Sequence, residues 1–214
     1  MTFASASASA SASAASSGST SAASSGSPSV TIALTRHGQT QWNADGQLQG
    51  STDIPLNDTG RSQAVESAAR FDAAAWHGVA TSPLSRAAET GSIIAEILGL
   101  PLVGVDHDLR ERHYGDAEGM NEAQVSALWP NRDYTNMEER ESVADRGLAA
   151  LERLAITHSG RSIIVVAHGT LIREVLRRIS SSDIPMIENA ATSIVEFVNG
   201  EWRVITINNV ALVA

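Results

Sequence analysis

The strongest hydrophobic pattern in the chain is the segment SIIVVA at residues 162–167, in which five consecutive residues are apolar. Such a run is typical of a strand that is buried on both faces, as in a parallel sheet. Two more strands, at residues 192–198 and 202–207, flank Asn199-Gly200, a pair that favours a tight hairpin turn. Shorter apolar and β-branched runs predict further strands at residues 30–35, 78–80 and 102–105.

Apolar residues at helical spacing lie between the predicted strands. They predict helices at residues 60–71, 84–98, 121–128, 141–158 and 168–179. The polar, glycine-containing segments 36–57 and 106–119 are predicted to be loops. Because strands and helices alternate, we expect a three-layer helix/sheet/helix α/β fold, with a mostly parallel central sheet and an antiparallel edge strand.

Residues 1–29 differ in composition from the rest of the chain. They consist almost only of alanine and serine, and apart from Met1 and Phe3 they contain no large apolar side chain. Burial of such a segment cannot offset the entropy lost on ordering it. We therefore predict a disordered Ala/Ser-rich tail at residues 1–29 and one domain at residues 30–214. The tail lacks the continuous apolar run of a secretory signal and the arginines of a transit peptide.

The composition argues against several classes of protein. With a formal net charge of −9, the chain does not have the excess of basic residues that is typical of duplex nucleic-acid binders. No apolar stretch approaches the roughly 20 residues of a membrane-spanning helix. There is no cysteine, which excludes disulfides and thiolate catalysis. We expect a cytoplasmic protein with no nucleic-acid or membrane partner.

Two histidines stand directly after predicted strands in similar local sequences. Arg36-His37-Gly38 follows the first strand, and His168-Gly169-Thr170 follows the strand at residues 162–167. Active groups of α/β proteins gather at the carboxyl ends of the strands. A glycine lets the backbone approach a ligand closely, and a helix start offers N–H groups to an anion. A single histidine in such a place is ordinarily a loop or packing residue, so it is the repeated arrangement that points to a site.

These residue types suit the transfer of a phosphoryl group. A neutral imidazole, here that of His37, can attack phosphorus and form a phosphohistidine that water then hydrolyses. The transition state spreads negative charge over the phosphoryl oxygens, which guanidinium groups such as Arg36 and Arg86 stabilise. His168, if protonated, would hold a further oxygen. Glu111, on the loop after the third predicted strand, can give the leaving oxygen its proton.

Together, these residues resemble the phosphoglycerate mutase-like branch of the histidine phosphatase superfamily. The arginine-histidine-glycine signature of the family is matched by TRHGQTQWN at residues 35–43. Four further segments match in the same order along the chain: LNDTGRSQA at 56–64, SPLSRAAET at 82–90, LRERHYG at 109–115 and VVAHG at 165–169. The resemblance covers essentially residues 30–207 and implies the phosphoglycerate mutase-like fold.

The resemblance implies a role for each matched residue. His37 would be the phosphorylated nucleophile, and Glu111 the proton donor and later the base for water. Asn43 would contact the phosphoryl group or orient His37. The phosphate pocket would contain Arg36, Asn43, Arg86 and His168, and the substrate would also meet Gln49, Gly50 and Tyr114. The resemblance implies no metal and no cofactor.

The family contains both mutases and phosphatases, and the segment after Gly119 bears on the choice. Glu122 stands where mutases usually carry a lysine, and the paired arginines and long insertion of mutases are missing. Between residues 129 and 139 the one cation is Arg132. We therefore favour a phosphatase that hydrolyses a small phosphorylated metabolite, with a phosphoglycerate mutase as the alternative.

The sequence disfavours two other classes of protein. A binding module with an inactive site is disfavoured because the core residues and the acid are all present. A P-loop kinase is disfavoured because the chain contains no lysine and hence no Gly-x-x-x-x-Gly-Lys-Ser/Thr loop. The sequence does not determine the identity of the substrate. We expect residues 114–141 to form the lid that selects it. The assembly state stays open too, a homodimer being one alternative.

Overall fold

The computed structural model describes residues 29–212. The predicted tail lies outside the described residues except for Ser29, which begins the first strand. Within residues 29–212 no helix is long and apolar enough to cross a membrane.

A seven-stranded mixed sheet forms the centre of the domain, with strand order β3-β2-β4-β1-β5-β6-β7. Strands β3, β2, β4 and β1 are parallel neighbours, and β5, β6 and β7 continue the sheet in antiparallel pairing. The strands are β1 (Ser29–Arg36), β2 (Val79–Thr81), β3 (Leu102–Val105), β4 (Ser162–Ala167), β5 (Thr192–Val198), β6 (Glu201–Ile207) and β7 (Val210–Ala211).

Six α-helices accompany the sheet in the described part of the chain. They are α1 (Gln41–Ala44), α2 (Asp58–Ala68), α3 (Ser85–Leu98), α4 (Glu122–Leu128), α5 (Arg140–Thr157) and α6 (Gly169–Ser180). The side chain of Asn57 caps α2 by accepting from Gly60 N. Helix α3 ends at Gly99, whose φ of 64° is the left-handed conformation that glycine adopts without strain.

The buried strand β4 explains why the domain has three layers. Its side chains alternate between the two faces of the sheet, as they must in a strand. Ile163 and Val165 pack in the cluster that also contains buried residues of α5 and α6, whereas Ile164 and Val166 pack with residues of α2 and α3. Helices therefore cover both faces, and the predicted fold class is confirmed.

Two short elements were missed by the sequence patterns. Helix α1 lies inside the predicted loop 36–57; it has four residues, buries none of them and depends on a capping box between Thr40 and Asn43. Strand β7 has two exposed residues at the sheet edge. Because of β7, three antiparallel strands extend the sheet beyond β1 where the sequence predicted a hairpin of two. Neither element buries an apolar face, so neither shows a periodic pattern of apolar residues in the sequence.

Candidate active site

The two predicted histidines lie side by side at the carboxyl edge of the sheet. Neighbouring parallel strands place Arg36, the last residue of β1, in register with Ala167, the last residue of β4. The residues that follow are His37 and His168, whose ring centroids are 5.2 Å apart. Both rings are buried. Sheet topology thus brings together two residues that lie far apart in the sequence.

The surroundings of His37 hold its imidazole neutral and fix its tautomer. Burial and then the charges of Arg36 and Arg86 hold the pKa of His37 well below its ordinary value of 6.5. Nδ1 lies 2.7 Å from the carbonyl oxygen of Gly38, which can only accept, so Nδ1 carries the proton and donates. Nε2 therefore keeps its lone pair, which is the state that a nucleophilic imidazole needs.

The surroundings of His168 also favour a neutral ring, so the condition of a protonated His168 is not met in this structure. Burial, followed by the charge of Arg86, holds its pKa well below 6.5. Its Nε2 lies 2.7 Å from Ser82 Oγ, and the Ser82 oxygen also accepts from Leu84 N at 3.3 Å. When the Ser82 hydroxyl donates to Nε2, the ring proton is on Nδ1, and His168 then offers a phosphoryl oxygen a neutral N–H instead of a positive charge.

Both predicted arginines are oriented by backbone carbonyl groups. Arg36 donates through Nη1 to Ile187 O at 2.7 Å. Arg86, which is fully buried on α3, donates through Nη1 to Thr52 O at 2.9 Å and through Nη2 to Gly50 O at 2.8 Å. Burial lowers the pKa of both guanidinium groups, and the charge of Glu111 opposes that effect. These carbonyl partners hold the two guanidinium groups in place without neutralising their charge.

Several buried polar atoms at this site have no hydrogen-bond partner among the described residues. They are Arg36 Nε, Arg86 Nε, His168 Nδ1 and Gln49 Oε1. Buried polar atoms in folded proteins almost always have partners, so each exception calls for an explanation. Here the unpaired atoms belong to four residues whose side chains were predicted to contact the phosphoryl group or the substrate. Their grouping indicates that a polar ligand completes the site.

Glu111 occupies the helix start that was expected to bind the anion. Its Oε1 accepts from Arg112 N at 2.8 Å and from Leu171 N at 3.1 Å, and its Oε2 accepts from Thr170 N at 3.1 Å. These groups of Thr170 and Leu171 are first-turn N–H groups of α6 that have no partner inside the helix. The helix therefore positions the carboxyl group, and at these two N–H groups the prediction of an anion-binding helix start is wrong. Glu111 Oε2 accepts only this one hydrogen bond, so it has a lone pair that can hold a proton.

One cavity of about 320 Å³ connects the predicted residues. His168 lies against His37 but does not line the cavity. The lining includes Arg36, His37, Asn43, Gln49, Gly50, Arg86, Glu111 and Tyr114. The predicted site residues therefore lie at one place, eight of them in the cavity lining and His168 against His37. No group of three or more potential metal-binding side chains is found within residues 29–212.

Asn43 and Tyr114 are linked to the site in ways the sequence did not show. Asn43 Oδ1 accepts from Thr40 N at 3.1 Å and lies 3.4 Å from Asn189 Nδ2, which also donates to His37 O at 3.1 Å. Asn43 thus reaches the His37 backbone through Asn189. The Tyr114 hydroxyl bonds to Thr170 Oγ1. Burial and the charge of Glu111 raise the pKa of Tyr114 to about 12, so its hydroxyl stays protonated.

Gly38 allows close backbone packing. A Cβ on Gly38 would lie 2.2 Å from Gly60 O, and a Cβ on Gly60 would lie 2.0 Å from Gln39 O. Two glycines from two different sequence motifs therefore let the His37 loop and the start of α2 touch backbone to backbone. Gly169 was expected to let a ligand approach the backbone closely, and its position fits that expectation. A Cβ there would lie 3.2 Å from Arg36 Nε, which has no hydrogen-bond partner among the described residues.

The outer part of the cavity is more basic than the sequence predicted. Arg173 on α6 and Arg140 at the start of α5 line it, together with Arg112 and Arg132. The sequence patterns did not predict Arg140 and Arg173 as lining residues. Arg173 stands four residues after Gly169, on the helix face that begins at the catalytic edge, and this spacing is the signal that could have revealed it.

Glu118 holds the loop that orients Arg86 and was also missed. Its carboxylate accepts from Ser51 N and Thr52 N, both at 2.9 Å, and from Tyr114 N at 3.0 Å. Burial on its own raises the pKa of Glu118, but hydrogen bonds from Thr52, Ser51 and Tyr114 outweigh it and lower the pKa. His113 bonds to the same carboxylate at 2.8 Å, outside the cavity lining.

The chain belongs to the histidine phosphatase superfamily. The model of this family, described as histidine phosphatase superfamily (branch 1), matches residues 32–210. This match covers nearly all of the described residues and includes every residue of the site.

Similar proteins carry the names of phosphatases and of phosphoglycerate mutases. The uncharacterized phosphatase PhoE of Bacillus subtilis is 40% identical over 81% of this chain and 91% of its own length. The metal-independent phosphoserine phosphatase of Arabidopsis thaliana is 34% identical over 80% of this chain and 78% of its own length. The solved structure of a mycobacterial glucosyl-3-phosphoglycerate phosphatase is 28% identical, with a TM-score of 0.76 over 83% of this chain and 98% of that one.

Proposed function

We propose that this protein is a phosphatase that hydrolyses a small phosphomonoester through a phosphohistidine on His37. One observation carries the proposal: a neutral imidazole lies beside three buried nitrogen atoms that have no partner among the described residues, namely Arg36 Nε, Arg86 Nε and His168 Nδ1. All three carry a proton when His168 Nε2 accepts from the Ser82 hydroxyl. A phosphoryl group in transfer presents oxygens that need such donors in a site from which water is excluded.

The first half of the reaction moves the phosphoryl group to the enzyme. The lone pair on His37 Nε2 forms a bond to phosphorus while the bond to the leaving oxygen breaks. Glu111 gives its proton to that oxygen, so the product leaves as an alcohol and Glu111 becomes a carboxylate. Throughout, Gly38 O accepts from Nδ1 and stabilises the charge that develops on the ring.

The second half returns the enzyme to its starting state. Glu111 takes a proton from an incoming water molecule, and the water oxygen attacks phosphorus as the bond to Nε2 breaks. The released product is inorganic phosphate, and His37 is neutral again. The three N–H donors serve both halves because both transition states place negative charge on the same oxygens. The proposal needs no metal for either step.

The relatives support water as the acceptor of the phosphoryl group. PhoE and the phosphoserine phosphatase carry the names of phosphatases and match at 40% and 34% identity. The alternative acceptor is a hydroxyl of bound product, as in a phosphoglycerate mutase. It is favoured by the arginines of the outer cavity, because a mutase must retain its acidic product. Assaying 3-phosphoglycerate for isomerisation and for phosphate release in the same samples decides between the two.

Detection of the covalent intermediate tests the mechanism most directly. Rapid acid-free quenching of a reaction with a ³²P-labelled ester should give labelled protein, with the label lost on acid treatment as expected of a phosphohistidine. We expect His37→Ala to abolish both the label and phosphate release. The exposed His107 provides the matched control, and His107→Ala should behave as the unmodified chain. Phosphate release that persists in His37→Ala would overturn the proposal.

The acid role of Glu111 has its own test. We expect Glu111→Gln to slow phosphorylation of His37 most strongly for esters with basic alcohol leaving groups and least for nitrophenyl phosphate, because the latter leaves without a proton. Glu66→Gln, at an exposed position of α2, is the control. Equal slowing across the leaving-group series would count against proton donation by Glu111.

A further inference from the structure

Arg146 on α5 does not line the cavity, but its guanidinium group binds the loop that carries Glu111. Nη1 donates to Asp108 O at 2.7 Å and to Arg110 O at 2.6 Å, and Nη2 donates to Glu111 O at 3.1 Å. Nε and Nη2 also donate to the two carboxylate oxygens of Glu138, at 2.8 and 3.0 Å. All five N–H donors of the guanidinium group are thus used. The side chain is only 10% exposed, so water competes little for these bonds.

The loop around Glu111 depends on such an anchor because residues 110–114 lie in neither a helix nor a strand. Loop carbonyl groups need partners from outside the regular elements, and one side chain binds three of them here. A planar guanidinium group presents its donors in a fixed fork, so it also fixes the direction of the carbonyl groups that it binds. A lysine, with three donors on one flexible atom, could not make all of these bonds at once.

Two different helices hold Glu111 at two points. Its backbone carbonyl accepts from Arg146 of α5, whereas its carboxylate accepts from the N–H groups of Thr170 and Leu171 in α6. The two helices touch directly beside Arg146, since a Cβ on the neighbouring Gly147 would lie 2.9 Å from Leu171 Cδ1. Helices α5 and α6 thus form one support for the acid, and the position of its carboxyl group depends on both contacts.

Glu138 connects this support to the segment that was predicted to form the lid. Its carboxylate also accepts from His113 N at 3.2 Å, and its backbone N–H donates to His113 O at 2.9 Å. Burial on its own raises the pKa of Glu138, but the hydrogen bond and the charge of Arg146 outweigh it and lower the pKa. The Arg146–Glu138 pair therefore holds the loop on both sides of residues 111–112.

We propose that Arg146 is a positioning residue for proton transfer, and that together with Glu138 it holds the Glu111 carboxyl group within reach of the leaving oxygen. This inference rests on the proposed phosphatase function, in which the Glu111 proton passes to the leaving oxygen and is later replaced from water. Proton transfer requires the two heavy atoms to lie within hydrogen-bond distance. A displacement of about 1 Å can lower such a rate about 100-fold. Because Arg146 does not line the cavity, it acts through Glu111.

The test compares two esters of similar size that differ in the basicity of the leaving group. Benzyl phosphate leaves as an alcohol that needs a proton, whereas nitrophenyl phosphate leaves without one. The quantity measured is the ratio of kcat/KM for nitrophenyl phosphate to kcat/KM for benzyl phosphate in one preparation. A change in the folded fraction affects both esters equally, so a loss of stability alone leaves this ratio unchanged. We expect Arg146→Gln to raise the ratio about 10- to 100-fold.

Two further variants keep the test decisive if Arg146→Gln does not fold. Arg146→Lys retains the charge with fewer donors, so we expect it to raise the ratio, but less than Arg146→Gln does. Glu138→Gln removes one of the two oxygens that accept from the guanidinium group and should also raise the ratio. In the Glu111→Gln background none of these substitutions should raise the ratio further, because the proton donor is already absent. A further rise in that background would contradict action through Glu111.

Arg153→Gln is the matched control. Arg153 lies on the same helix and binds the same loop, but its side chain is 49% exposed and pairs with the carboxylates of Asp106 and Asp108. Exposed pairs of this kind contribute little, so the ratio should change less than about twofold. An equal rise in Arg153→Gln, or an unchanged ratio in Arg146→Gln and Arg146→Lys, would overturn the proposal.

Amide hydrogen exchange distinguishes this inference from the proposed function because it needs no turnover. The N–H groups of Thr170 and Leu171 donate to the Glu111 carboxylate, so their exchange reports whether that carboxylate stays in place. We expect exchange at these two amides, followed by NMR, to be at least about tenfold faster in Arg146→Gln than in the unmodified chain. The Arg153→Gln control should exchange as the unmodified chain does.

The two measurements together separate the possible failures. Faster exchange in the Arg146 variants, in a chain that releases no phosphate, would refute the hydrolase and retain the anchoring of Glu111. Phosphate release with unchanged exchange and an unchanged ratio in these variants would retain the hydrolase and refute the positioning role.

Discussion

The inner and outer ends of the cavity are built in opposite ways. At the inner end, His37 and Arg86 are buried, and their partners are backbone carbonyl groups. At the outer end, the side chains of Arg132 and Arg140 are more than half exposed and pair with the acidic groups of Glu122 and Glu174. The inner end is thus rigid and retains unneutralised donors, whereas the outer end is adjustable.

This difference suggests that the inner end carries out phosphoryl transfer and the outer end determines which ester binds. Charges in a buried site act through a low dielectric and need no reorganisation during the reaction. Exposed charges are screened by water and salt, and an exposed pair contributes only about 0–1 kcal/mol. The inner end should therefore determine the rate of phosphoryl transfer for every ester, and the outer end should determine which ester is preferred. The predictions below test that division, beginning with the largest expected effect.

Removing the Arg86 fork should lower kcat/KM about 100- to 1,000-fold for every ester, because one preorganised donor to transition-state charge has that value. The variant is Arg86→Gln, measured by phosphate release. Arg61→Gln, which removes an exposed arginine paired with Glu89 and Asp58, is the control and should change activity less than about twofold. Thermal unfolding confirms that each variant is folded. A loss confined to anionic esters would contradict the division between the two ends.

Glu118→Gln should lower kcat about tenfold, because an amide nitrogen cannot accept the N–H bonds that hold the loop orienting Arg86. The expected mechanism is positional, so a double-mutant cycle is the informative measurement. In the Arg86→Gln background the Glu118 substitution should have little further effect on kcat. Additive losses in kcat would show that Glu118 acts independently of Arg86 and would contradict the positional mechanism. Glu96→Gln, exposed on α3, is the matched control.

Acidification should destabilise the inner end through its two histidines. The pKa values of His37 and His168 are well below 6.5 in the folded state, so below about pH 6.5 the unfolded chain binds more protons than the folded one. The free energy of unfolding should therefore fall as pH decreases through the window from 6.5 to the folded-state pKa values. Urea unfolding between pH 8 and pH 5 measures the slope. His37→Gln should reduce that slope, and an unchanged slope would contradict the burial of a neutral ring.

The sequence predicted those helices and strands in which apolar residues recur at regular spacing. Strand β4 has the predicted bounds because each of its apolar residues meets a helix layer on one face or the other. Helix α1 and strand β7 escaped detection because they bury little or nothing. The residues of the inner cavity occur in ordered motifs, and the structure places them together, whereas their roles toward phosphate stay a prediction.

The remaining features of the site depend on contacts between distant parts of the chain. The protonation state of His168 follows from complete burial beside Arg86, which no local pattern reveals. Glu118 reaches Ser51 and Thr52 across more than 60 residues of sequence. The expected anion site at the start of α6 receives Glu111 for the same reason.

The sequence by itself thus determined the fold class and the residues gathered at the carboxyl edge of the sheet, because hydrophobic periods and short motifs are local properties. The tertiary structure alone decided which N–H groups remain without partners and which arginines line the outer cavity. Several of the hydrogen-bond partners and charge neighbours are far apart in the sequence, as are Arg36 and Ile187. The basic outer cavity emerges only when α5 and α6 pack together beside the site.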